Sequence, residues 1–143
     1  MCATQTSRIT GRHATELVVG QAMHDGVVVC PRDTPLATVA ELMAAHRVHC
    51  VVVADHPDDA GSLWGVVSDL DLVAAAAVRD LVEQKAGGTA ASPALMVEPA
   101  KLLRAAQLMT EHATAHLVVV DPITHRPVGV LSTLDVAAAL SKR

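Results

Sequence analysis

The stretch "WGVVSDLDLVAAAA", Trp64–Ala77, decides how the rest of the chain is read. An apolar run carrying Gly65 ends at Ser68, an acid follows at Asp71, and alanines close the segment. Sixty-four residues on, "VGVLSTLDVAAAL" (128–140) sets Gly129, Ser132 and Asp135 at the same spacing, again before alanines. Taken alone, each copy reads as a helix start, with the serine capping an orphan N–H and the acid reaching back, worth about 1 kcal/mol. On this reading the glycine simply permits close backbone packing. A capping box prefers Glu or Gln at its third helical position, however, and here it is aspartate twice. A short acid on a first turn, beside a hydroxyl and exposed N–H groups, can also accept hydrogen bonds from vicinal ribose hydroxyls. The helix N-terminus favours a nearby phosphate. Gly65 and Gly129 would then leave room for a ligand against the strand. The two roles are compatible, the serine serving the cap and the aspartate the ligand.

Working outward, the duplication extends through the chain. "LATVAELMAAHRVHCVVVAD" (36–55) lies over "LLRAAQLMTEHATAHLVVVD" (102–121) at an offset of 66 residues. "VVVCP" (27–31) aligns with "LMVEP" (95–99) at 68, and the motif itself at 64, which assigns the length changes to loops. Each copy reads as strand, helix, strand, strand, helix. The first strand is expected at Val27–Cys30, and Thr34 as an N-cap with Pro35 at the first helical position. Leu36, Val39, Ala40 and Met43 follow with helical spacing, as do Leu102, Ala105, Ala106 and Met109. "CVVVA" and "LVVV" are short, β-branched and continuous, as in strands covered on both faces. Residues 1–13 read as a tail, 14–83 as the first domain, 84–92 as a linker within the Gly/Ala-rich "EQKAGGTAASP", and 93–143 as the second domain. "ATELVVGQAM" (14–23) is expected to hold a short leading helix.

Composition narrows the function. The 143 residues carry a net charge of −4 and are 51% hydrophobic, yet hold no Phe or Tyr and one Trp, Trp64. That argues against a base-stacking surface, and with no basic block no nucleic-acid partner is expected. Cys2, Cys30 and Cys50 form no CxxC pair and read as reduced thiols. The N-terminal stretch has no apolar h-region, and "LVAAAAV" is too short to span a bilayer, so the reading is a cytoplasmic protein without a membrane partner. Neither Cys50 nor Ser68 has an evident base-and-acid partnership, so no enzyme is expected. His46 and Cys50 correspond to His112 and His116, a zinc-like set of residue types. They run from a helix end into a strand, and exposed or core histidines explain them more simply, so no metal site is assigned.

The element order, the "GVVSDLD" and "GVLSTLD" ends and the tandem spacing resemble a pair of cystathionine-β-synthase (CBS) domains, a Bateman module, over residues 18–141. The resemblance implies an α+β fold of two pseudo-symmetric βαββα repeats, with two clefts between them and no catalysis. It implies a regulatory ligand such as AMP, ADP, ATP or S-adenosylmethionine rather than an obligatory cofactor. It further implies a homodimer and an effector protein outside this chain that reads the ligand state. Matched residue by residue, Asp71 and Asp135 take the ribose position, and Ser68 and Ser132 the neighbouring ribose and phosphate position. Val28, Val29, Met96 and Val97 match apolar positions lining the base pocket. His49, Cys50, Ala115 and His116 match backbone positions that read the base edge. Two departures stand out. Leu70 and Leu134 replace the basic residue that often precedes the aspartate, leaving Arg47, Lys101 or Arg104 as candidates for phosphate. Val52 and Val118 replace a proline often found in the middle strand. An interaction module without nucleotide is the alternative reading, which the two leucines favour, and a metal-responsive protein is a third.

Overall fold

Short continuous apolar runs and period-3.6 apolar patterns alternate along the chain and separate into strands and helices. A computed structural model describes residues 17–55, 63–93, 95–97 and 100–141, without the side chains of Asp25 and Val97. The expected tail 1–13 lies outside the described residues. In chain order the elements are α1 (Val19–Ala22), β1 (His24–Asp25), β2 (Val29–Cys30), α2 (Leu36–His46), β3 (Cys50–Ala54) and β4 (Leu63–Ser68). They continue with α3 (Asp69–Ala76), a 3-10 turn (Leu81–Glu83), α4 (Ala86–Thr89), β5 (Leu95–Val97) and α5 (Leu102–Glu111). β6 (His116–Val120), β7 (Pro127–Ser132) and α6 (Thr133–Ser141) complete the chain. They form two units, one from residues 27–93 and one joining the segment before residue 27 to the segment after residue 93.

The first-repeat unit has a three-stranded sheet in the order β2-β3-β4, the second a four-stranded sheet in the order β1-β7-β6-β5. β2 runs parallel to β3, as its crossover through α2 requires, and β3 pairs antiparallel with β4. β5, β6 and β7 repeat this arrangement. Both hairpins carry an irregularity at the same place, between Val53 and Ala54 and between Val119 and Val120. The fold is thus α+β with βαββα twice, as the spacing suggests.

The register corrects the repeat alignment at the first strand. Val29 and Cys30 stand opposite Val52 and Val53, while Leu95 and Met96 stand opposite Val118 and Val119. Leu95 and Met96 are therefore the counterparts of Val29 and Cys30, at the same offset of 66 as the rest, and no two-residue insertion separates strand from helix. Cys30 and Met96 accordingly fill matching places in the two cores.

In the first-repeat unit Leu36, Val39 and Met43 of α2 pack on Val51, Val53 and Val67 of the sheet and on Leu72 and Ala75 of α3. In the second, Leu102, Ala105 and Met109 pack with Leu117, Val119, Leu131, Val136 and Ala139. Each fully buried Val, Leu or Met contributes roughly 1.5–3 kcal/mol, so aliphatic side chains supply the cohesion that aromatics lend elsewhere.

The Gly/Ala-rich stretch expected as a linker is instead built into the first-repeat unit. Ala86 is completely buried in its core, and Ala91 bridges Val66. The reason is a pair of orphan helix N–H groups. α2 has no side-chain cap at Pro35, one residue later than Thr34, and Leu36 N–H donates to the Gln84 carbonyl at 2.8 Å. In the second unit Leu102 N–H donates to the Leu17 carbonyl at 2.8 Å, and Val19 is the buried counterpart of Ala86. Each unit thus carries a short arm, α4 to Ala91 in one and α1 to β1 in the other. The second unit takes its arm from before the first repeat.

Candidate functional site

Ser68 is extended where β4 gives way to α3, and its Oγ accepts the Asp71 N–H at 3.1 Å. Asp71 Oδ2 accepts the Ser68 N–H in return, at 2.9 Å. Ser132 Oγ and Asp135 N–H repeat the contact at 3.1 Å, and Asp135 Oδ2 accepts the Ser132 N–H at 2.8 Å. Both motifs are therefore reciprocal capping boxes in which the shorter acid still reaches. The next helix N–H is also spoken for: Asp69 donates to the His49 carbonyl at 2.8 Å and Thr133 to the Ala115 carbonyl at 2.9 Å. Capping fixes the orientation of both carboxylates and commits one oxygen of each.

The remaining oxygens differ. Asp71 is half-buried, and among the described residues its Oδ1 has no protein partner. Asp135 is only 8% exposed, and its Oδ1 lies 3.0 Å from Nδ1 of His24 on β1.

The glycines do something other than open space for a ligand. A Cβ at Gly65 would fall 2.5 Å from the Ala91 carbonyl oxygen. One at Gly129 would fall 2.6 Å from the His24 carbonyl oxygen and 2.7 Å from Met23 Sδ. The room expected for a ligand is filled by the arms, so close backbone approach is what these glycines provide.

The other sequence-selected residues distribute as follows. Val28 is half-buried and its carbonyl accepts the Val52 N–H at 2.8 Å, while Val29 is half-buried on β2. Met96 is buried in the core of its unit; the side chain of Val97 lies outside the described residues. By strand register the counterpart of Val29 is Leu95, not Val97, and that of Cys30 is Met96. Cys50 stands opposite Ser68 and His116 opposite Ser132, which puts both beside the motif serines. Burial, reinforced by the charge of Asp69, pushes the Cys50 thiol up to about 12, so it is an inert core group. His49 is exposed, its Nδ1 3.0 Å from Asp69 Oδ2. Ala115 is exposed, and the threonine at position 133 gives it no such pair.

Leu70 and Leu134 project into solvent. Of the basic candidates, Arg104 pairs along its own helix with Gln107 and Glu111, both at 3.4 Å. Arg47 closes α2 in a left-handed conformation and Lys101 precedes α5, both exposed. His46 and His112 are exposed, and among the described residues no three His, Cys, Asp or Glu side chains gather to hold a metal. Also among the described residues, no helix is long and apolar enough to cross a membrane.

The short helix expected within 14–23 is α1 of one arm; β1 with His24, and the other arm as a whole, are not anticipated by the sequence reading. The signal was there: Val18-Val19-Gly20 precedes the first repeat as Lys85-Ala86-Gly87 precedes the second, at an offset of 67. In that alignment His24 corresponds to Ala91, and the pairings agree, since His24 faces Val130 and Ala91 faces Val66.

Comparison with known proteins completes the picture. The family model of the CBS domain matches residues 19–78 and 93–142. No curated protein sequence matches the chain. Among solved structures, the chain is similar to the CBS domain protein PAE2072 from Pyrobaculum aerophilum complexed with AMP, at 29% identity and TM-score 0.72, covering 83% of this chain and 89% of that one. It is similar in fold to the CBS domain of the bacterial CNNM/CorC family Mg2+ transporter in complex with ATP, at 18% identity and TM-score 0.79, covering 95% of each chain. Hypoxic Response Protein I with two coordinated zinc ions matches at 25% identity and TM-score 0.69, covering 85% of this chain and 97% of that one.

Proposed function

The chain belongs to the CBS-domain family, and from that premise we propose that it is a non-catalytic regulatory module for an adenosine-containing ligand. AMP, ADP, ATP and S-adenosylmethionine are the class considered. The observation that carries the reading is the Asp71 carboxylate. Ser68 N–H holds one of its oxygens, while the other, without a partner among the described residues, keeps its lone pairs for donors such as a ligand. A vicinal diol supplies such donors. The second motif repeats the capped carboxylate at Asp135, where His24 meets the other oxygen, and the AMP complex of the similar Pyrobaculum aerophilum protein supports the ligand class. Leu70 and Leu134 supply no charge for a polyphosphate, which favours AMP over ATP.

Signalling requires that the ligand bind two conformations with different affinity. In this reading the module acts as a homodimer in the cytoplasm and an effector protein senses the change. Thermal-shift titration with AMP, ADP, ATP and S-adenosylmethionine tests it. A ligand at a hundred times its dissociation constant stabilises by about 2.7 kcal/mol. Asp71→Ala should abolish the shift. A flat response to all four compounds would favour instead an interaction module, with the exposed leucines as contact points.

A further inference from the structure

The two motifs share a capping geometry but differ in what meets the second carboxylate oxygen. In the second repeat that oxygen is already engaged. His24 reaches it from β1, whose residues pair with Val130 and Gly129 in the strand that carries the motif. The contact requires a proton on Nδ1, whichever protonation state the ring adopts. In the first repeat the equivalent arm position is Ala91, facing Val66, and a methyl group cannot reach Asp71. At this register position one arm presents the imidazole of His24 and the other the methyl group of Ala91.

We propose that His24 is a built-in competitor for the sugar, so that the two motifs are unequal: the Asp71 site fills first, and the Asp135 site fills only when His24 releases its carboxylate. The inference rests on the nucleotide reading above. A vicinal diol needs an available acceptor oxygen. Oδ2 is committed to a serine N–H in both repeats, which leaves Oδ1. At Asp71 that atom has no partner among the described residues; at Asp135 the ligand must first break a 3.0 Å contact to a nearly buried carboxylate. His24 itself is 80% exposed, so it can swing into solvent without disturbing the core. A charge-assisted hydrogen bond of this kind weakens the competing ligand by roughly tenfold.

Calorimetric titration of the full chain with AMP tests the proposal. The wild type should bind one AMP per chain in its tight phase. Asp71→Ala should remove that phase and Asp135→Ala should leave it, with Asp→Asn variants repeating the comparison while an acceptor for the serine N–H is kept. His24→Ala should bring a second AMP into the measured range, its affinity raised by roughly tenfold. The reciprocal Ala91→His should weaken the tight phase by a similar factor. Two equal sites in the wild type, loss of the tight phase in Asp135→Ala, or a His24→Ala isotherm identical to wild type would each overturn the inequality alone. Absence of heat with AMP in every variant would overturn the nucleotide reading together with it.

Discussion

Replacing Gly65 by alanine should destabilise the protein, against the ordinary sign of that substitution. Gly65 lies in β4 outside the left-handed region, so alanine fits its backbone conformation. At such a site Gly→Ala stabilises by about 0.4–1 kcal/mol, by restricting the unfolded chain. Here the new Cβ would sit 2.5 Å from the Ala91 carbonyl oxygen and 3.1 Å from Ala90 Cβ. The arm cannot shift locally, because Val66 and Ala91 exchange two backbone hydrogen bonds of 2.8 and 3.0 Å, and Trp64 Nε1 donates to the Gly87 carbonyl at 2.9 Å. Overpacking of this kind costs about 1–3 kcal/mol, and detaching the arm instead forfeits two hydrogen bonds worth about 0.5–1.5 kcal/mol each. The net loss is about 1–2 kcal/mol. Urea denaturation should show it as a lower midpoint at unchanged slope, with amide exchange accelerated at Val66 and Ala91. Gly88→Ala is the internal control, since a Cβ there meets nothing within 4 Å, and it should be neutral or stabilising. If Gly65→Ala matched or exceeded the wild type in stability, the crossing of the arm over this glycine would be refuted.

Ala113 sits in the left-handed region at φ 49, the position Arg47 holds at φ 54 after the equivalent helix, so Ala113→Gly should raise stability by about 0.5–1 kcal/mol. That figure sets the ~1–2 kcal/mol cost of an L-residue there against the greater freedom glycine gives the unfolded chain, and a lower melting temperature in scanning calorimetry would contradict it. Cys50 gives a pH prediction: its thiol moves from 9.0 to about 12 on folding, so the folded state holds a proton that the unfolded chain releases between those values. Its contribution should be intact below pH 9 and fall as pH rises through the window, so urea midpoints should drop less steeply with pH in Cys50→Ala than in wild type.

Much of the architecture could be read from residue spacing, and for physical reasons. Leu36, Val39 and Met43 recur at helical intervals because α2 buries one stripe, and β3 reads as unbroken apolar residues because every one of its positions is buried. The serine and aspartate of each motif act locally, three residues apart, so a capping box follows from sequence alone. Beyond the short helix expected within 14–23, the arms escape because a four-residue helix and a two-residue strand carry almost no periodicity, and "KAGGTAAS" has the composition of a flexible connection. Ala86 and Val19 declare themselves only through burial. The first-strand offset is not legible in the sequence, because runs such as "VVVC" slide against "LMVE" without penalty until hydrogen-bond pairing sets the register. The inequality of the two carboxylates was illegible for a related reason. It depends on His24 meeting a residue more than a hundred positions away.

That long-distance pairing also orders events in time. The first-repeat unit is contiguous, so a chain leaving the ribosome can complete it once residue 93 has emerged. The other unit cannot close until Gly129 and Val130 have been made, because His24 and Asp25 pair with them. Bringing together ends so far apart adds little free energy, about 0.6 kcal/mol per doubling of the intervening loop, but contacts of such separation slow the search. Until then Val19 has no core to enter. A permuted chain beginning at Val27, with residues 1–26 attached after Arg143, would make both units local and should refold faster.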